Sequence, residues 1–173
     1  MTTDTDLSAE RVDLLETLAQ HRHFLRNTAR GLTDEQAATR STVSELTVGG
    51  LIKHVADQER LWQEFIAVGT SAMPDSDDPA GQQRYVDSFR MAPGETLAGL
   101  LAAYDEVARR TEELIRTVPD LDAAHPLPAA PWFPPGARWS LRRVLLHIAA
   151  ETAQHAGHAD IIREAIDGAK TMG

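Results

Sequence analysis

Ser140-Leu-Arg-Arg-Val-Leu-Leu-His147-Ile-Ala-Ala-Glu151-Thr-Ala-Gln-His155-Ala-Gly-His158-Ala-Asp-Ile-Ile-Arg-Glu-Ala-Ile166 is the stretch whose reading decides the fold. Read as a helix turning about 100° per residue, it puts Val144, Ile148, Ala159, Ile162 and Ile166 on one face. His147, Glu151, His155 and His158 fall on that same face, so ionisable groups interrupt an apolar stripe. Polar groups taken out of water need partners, and charges need more than that. A helix that turns a carboxylate and several imidazoles toward its packing surface is therefore expected to serve a site.

Outward from this helix, the N-terminal direction supplies partners of the same kind. Asp120 to Arg138 holds five prolines and His125, and is not expected to be regular helix. Within it Pro131-Trp-Phe-Pro-Pro-Gly136 sets aromatics in a stiff extended segment that either caps a bundle or lines a pocket. Trp139 then stands as a hydrophobic staple before Ser140, the expected N-cap. Thr96 to about Val118 gives the cleanest amphipathic helix, with Leu97, Leu100, Leu101, Tyr104, Val107, Ala108, Thr111, Leu114, Ile115 and Val118 on its stripe, ended by Pro119. Its reading is core packing.

Gly69 to about Gly94 breaks the pattern with Pro74, Pro79, Pro93 and the acidic run Asp75-Ser-Asp-Asp78. It reads as a long connection with one helical turn around Gln82 to Phe89, long enough to cross between the ends of a bundle. Before it, Thr47 opens a helix to about Val68, with Leu51, Ile52, Val55, Trp62, Phe65 and Ile66 recurring at helical steps. His54 lies inside that apolar arc and Gln58 faces inward, while Lys53, Asp57 and Arg60 lie outside. Thr33-Asp-Glu-Gln36 is a capping box. Ser8 is the expected cap of a first helix to about Arg30, with Leu14, Leu15, Leu18, Arg22 and Leu25 on its stripe and Gly31 as its stop. His21 sits at the edge of this stripe and His23 in solvent. No strand pair with turn signals is read anywhere. Four long amphipathic helices and two longer connections read as an all-α four-helix bundle.

The whole chain bounds the function. Its 173 residues read as a single domain, 1–173, with residues 1–7 expected to fray. Cysteine is absent, which excludes disulfides, thiolate metal clusters and a cysteine nucleophile. A net charge of −9 argues against nucleic acid, because phosphate affinity needs clustered Lys and Arg. No apolar run approaches the roughly 20 residues that span a bilayer, and the polar start is unlike a secretory signal, so the expected location is cytoplasmic.

Glu151 and His155 stand four apart, one turn from each other on the inward face, and His54 comes from the inward face of another helix. Two imidazoles and a carboxylate make a three-ligand site with open positions, the composition of a catalytic zinc or a similar divalent ion. A buried hydrogen-bonded network without metal satisfies the same residues, and both readings stay open at this point. His158, three residues beyond His155, can be a fourth ligand, an orienting partner or a general base; the orienting role is preferred. His147 either bonds Glu151 or is structural. Paired Glu-x-x-His motifs, His-Glu-x-x-His, Gly-x-Ser-x-Gly, a P-loop and Gly-x-Gly-x-x-Gly are all missing.

Gly50-Leu-Ile-Lys-His54-Val-Ala-Asp-Gln-Glu-Arg-Leu-Trp62, taken with Trp139 to Asp160, resembles the DinB-like superfamily, and within it the actinobacterial branch of mycothiol-dependent enzymes and S-transferases. The resemblance spans nearly the whole chain in helix order. It implies a DinB-like four-helix bundle with a divalent metal, often zinc, on His54, Glu151 and His155. Many members carry His-x-x-x-His on the last helix, so Glu151 departs from that pattern. The His, Glu, His set is similar to that of mycothiol-dependent maleylpyruvate isomerase, which carries a further domain this chain is too short to include. The implied activity is a metal-dependent thiol S-transferase, with mycothiol as cosubstrate and an electrophilic small molecule as acceptor. His158 is carried forward as a catalytic candidate, with Trp62, Trp132 and Phe133 as pocket walls. An isomerase or hydrolase on the same metal, and a non-catalytic stress-response bundle, are the alternatives. The resemblance also admits a homodimer.

Overall fold

A computed structural model describes residues 7–74 and 78–171. The expected fraying of residues 1–7 therefore falls outside the described residues up to position 6, as does most of the acidic run. Four long helices form the bundle: α1 (Ala9–Thr28), α3 (Val48–Val68), α5 (Leu97–Thr117) and α6 (Leu141–Asp167). A short α2 (Asp34–Ala37) and an additional α4 (Pro79–Ser88) lie in the connections. Around the ring α1 packs on α6, α6 on α3, α3 on α5 and α5 on α1.

The caps follow the local chemistry. Thr33 and Gln36 close a reciprocal capping box, and Thr47, Thr96 and Ser140 each accept from the amide of the third helical residue. Ser8 occupies the N-cap position of α1 without a side-chain cap bond. The expected turn at Gln82 to Phe89 is a longer helix, because Asp78 accepts from the Ala80 and Gly81 amides and Pro79 is preset for the first helical position. The expectation of no strand pair is also corrected. β1 (Ala124–Pro126) and β2 (Arg138–Ser140) pair antiparallel, with His125 opposite Trp139, and Leu127 N–H donates to Ala137 O at 2.9 Å where the loop closes. The proline-rich loop between them is too long to carry a hairpin turn signature, which is why the pairing was not visible in the pattern. No helix among the described residues is long and apolar enough to cross a membrane.

Two apolar clusters fill the bundle. One gathers Leu25, Leu51, Ile52, Val55, Tyr104, Ala156 and Ile162; the other gathers Leu14, Leu18, Trp62, Phe65, Ile115, Val144 and Ile148. On each long helix buried polar residues stand between the two: Arg22 between Leu18 and Leu25, Glu59 between Ala56 and Trp62, Thr111 between Tyr104 and Ile115, and Thr152 with His155 between Ile148 and Ala156. Arg22 pairs with Glu59, Thr111 Oγ1 donates to Glu59, and Gln63 Nε2 donates to Val107 O at 2.7 Å. This polar layer lies at the level where α6 carries Glu151 and His155.

Candidate metal centre

The long helices bring the expected ligands together. His54 on α3 and Glu151 and His155 on α6 offer ligand atoms that all lie within 4.8 Å of one another. His155 Nε2 stands 3.5 Å from Glu151 Oε2, and the His54 and His155 rings meet edge to face with centroids 5.0 Å apart. Two ligands about 2.1 Å from one tetrahedral ion stand roughly 3.4 Å apart, so the Glu151 and His155 spacing is that of donors sharing a cation. Both histidines are buried and Glu151 is half-buried, leaving one side of the triad open.

The protonation states suit the donor set. Burial pushes the His54 pKa down to about 4, with the neighbouring His155 adding to the effect and Glu151 opposing it. A hydrogen bond from His155 holds the Glu151 carboxyl below the usual carboxylate value; burial opposes this, and His147, His155 and His54 add to the lowering. At neutral pH the site therefore presents a lone pair on His54 and an anionic carboxylate, the forms a divalent ion requires.

The remaining expected residues are distributed around this triad. His158 Nδ1 lies 3.4 Å from His155 Nδ1, on the ring edge facing away from Glu151. His147 Nε2 is 3.8 Å from Glu151 Oε1, and burial lowers its pKa. Trp62 is buried, stacked on Trp139 at 4.9 Å with His147 edge-on at 4.9 Å. Phe133 reaches Trp139 at 5.7 Å, and Trp132 is 68% exposed, touching Phe133. The aromatic group thus begins beside the triad at Trp62 and runs outward. Trp62 also lines, with Gln58, Glu59, Glu151 and Thr152, a narrow, nearly filled cleft between α3 and α6.

Sequence reasoning missed two sets of residues. Tyr85 and Ser88 on α4, with Phe89 just after it, surround the His54 ring, although that segment reads as a connection. Glu59 is almost fully buried, and one of its carboxylate oxygens has no partner. A signal for it exists: Ile52, Val55, Glu59, Trp62 and Ile66 are spaced as one stripe, and Arg22 occupies the matching place on α1.

Comparison with known proteins agrees with this architecture. The bundle is similar to a solved structure described as the conserved protein of locus from Enterococcus faecalis, with a TM-score of 0.63 at 15% identity, over 94% of this chain and 99% of that one. That likeness carries the fold, and the all-α, DinB-like bundle expected from the sequence is the fold observed. No curated protein sequence matches the chain. The family profile described as mycothiol-S-transferase matches residues 13–168, a span that contains every residue of the triad, the polar layer and the aromatic group. The chain belongs to the mycothiol S-transferase family.

Proposed function

We propose that the protein is a divalent-metal-dependent S-transferase that joins mycothiol to an electrophilic small molecule in the cytoplasm. The observation that carries this reading is the convergence of His54, Glu151 and His155 in a bundle whose family is that of mycothiol S-transferases. A divalent cation, zinc in this reading, supplies a positive charge that lowers a thiol pKa from about 8.5, so that thiolate exists at neutral pH. The triad holds the cation, with Glu151 offsetting its charge and the two imidazoles leaving a side open to ligand. Because the chain contains no cysteine, the sulfur nucleophile comes from the cosubstrate.

Other side chains take roles around this centre. His158, against His155 Nδ1 on the side of that ring away from Glu151, orients this ligand. Trp62 and Phe133 form apolar walls for the electrophile, with Trp132 at the outer rim. In the transfer the thiol loses its proton, sulfur forms a bond to the electrophilic carbon, and a leaving group departs with its electron pair or an epoxide oxygen takes the charge.

The test is thiol consumption with mycothiol and a model alkyl halide, measured with chelated and zinc-replete protein. Zinc-dependent turnover that is lost in Glu151→Ala, with the helical circular dichroism unchanged, is the expected outcome. Metal-replete protein that turns over no thiol, or an unaffected Glu151→Ala, overturns the reading.

A further inference from the structure

His54 has two ring nitrogens, and only one can face a cation. Its Nδ1 lies 2.9 Å from Ser88 Oγ. Ser88 Oγ in turn lies 2.7 Å from the Tyr85 carbonyl oxygen, a contact between two oxygens that requires the hydroxyl proton. With that proton committed to Tyr85, the serine oxygen can only accept from the ring. Neutral His54 therefore carries its proton on Nδ1 and its lone pair on Nε2.

The residues around this bond are arranged on one face. Tyr85, Ser88 and Phe89 are spaced i, i+3, i+4, and all three meet the His54 ring: Phe89 stacks on it at 3.7 Å and 19°, and Tyr85 stands edge-on at 5.5 Å. Ser88 is the only buried residue of α4, so the helix spends its one buried contact on this ring.

The chain that follows α4 is held against α3 within a few residues of His54. A Cβ on Gly50 would lie 1.9 Å from Phe89 O, and one on Gly49 would lie 2.3 Å from Met91 Sδ, so the strap crosses where only glycine admits it. Lys53 Nζ donates to Arg90 O at 3.3 Å and to Glu95 Oε2 at 3.0 Å.

We propose that the segment Tyr85 to Glu95 is a positioning strap for the metal site, in which Ser88 selects the His54 tautomer that presents Nε2 to the cation. The proposal deepens the metal-dependent reading and rests on it. Ser88 is a positioning residue: it touches His54 and acts through it. Partners that orient a metal-binding imidazole typically change metal affinity about 10- to 100-fold when removed, which sets the scale expected here.

The experiment uses full-length protein in two states. Long-range proton–nitrogen NMR of the metal-free protein at pH 7.5 reads the tautomer of His54 without any cation. Competition titration with zinc, and with cobalt as a visible probe, reads affinity. Wild type is expected to show the Nδ1–H form; Ser88→Ala is expected to shift toward the Nε2–H form and to bind zinc about 10- to 100-fold more weakly. Ser88→Thr, which keeps the hydroxyl, is expected to restore both, and Gly50→Ala, which displaces Phe89 without touching the ring, is expected to move both in the same direction as Ser88→Ala. An unchanged tautomer spectrum and zinc affinity in Ser88→Ala overturns the strap. Wild type that shows the Nδ1–H form but binds no divalent cation overturns the metal reading instead, and the positioning role falls with it.

Discussion

Acidification of the metal-free protein is expected to weaken the bundle chiefly through His54. In the unfolded chain this imidazole titrates near 6.5, and in the folded bundle burial lowers its pKa to about 4. Between those values the unfolded state binds a proton that the folded state refuses. The associated stability is therefore fully present above pH 6.5, is lost progressively as pH falls to about 4, and is constant below that. A lowering from 6.5 to about 4, at about 1.36 kcal/mol per pH unit, amounts to about 3 kcal/mol. Against a total stability of roughly 5–15 kcal/mol this is a large share. Urea unfolding at pH 7.5, 6, 5 and 4 in the presence of chelator measures it, with His54→Gln, which cannot titrate, as the reference. Wild type should lose about 3 kcal/mol more than the variant across that range. His147, lowered in the same direction by burial, leaves a residual slope in both proteins. A variant whose stability follows wild type at every pH would refute the assignment of the transition to His54.

The buried ion pair gives a second test. Glu59→Ala takes away the buried partner of Arg22 and leaves it only Glu112 at 3.4 Å, costing about 3–5 kcal/mol, or roughly 6–20 °C in thermal midpoint, whereas Arg22→Met with Glu59→Leu should recover most of the loss by scanning calorimetry. A double variant as unstable as Glu59→Ala would show that the layer acts through something other than charge burial. At the end of α3, Gly69 has φ of 73° and a Cβ there would lie 2.9 Å from His125 Nδ1. Gly69→Ala should therefore cost about 1–3 kcal/mol in chemical denaturation. Trp62→Ala should cost about 3–5 kcal/mol because its ring is packed between Phe65, Trp139 and His147. Trp132→Ala should stay within about 0.5 kcal/mol, and a rise in KM without a change in stability would mark that ring as part of the electrophile's wall.

How far the sequence carried can be seen residue by residue. The ends of α3, α5 and α6 were legible because threonine and serine caps and proline stops act over a few residues, with no need of the rest of the chain. Glu151 and His155 were legible as a pair because four residues make one helical turn. The β1–β2 pair was not, since its strands are short and its register is set across a proline-rich loop. The length of α4 was obscured by Pro79, which breaks helices internally but starts them well.

Local chemistry, then, determined the helices, their caps and the inward face that α6 gives to Glu151 and His155. The absence of cysteine determined that any sulfur nucleophile must come from outside the chain. Only the tertiary structure decided that His54 closes on the α6 pair, that Ser88 meets the far side of its ring, and that Arg22 and Glu59 neutralise each other inside the bundle. Each of these joins residues on different helices. Periodicity specifies which face of a helix is buried but not which neighbour it is buried against; that is fixed by the packing of all four helices around the ring.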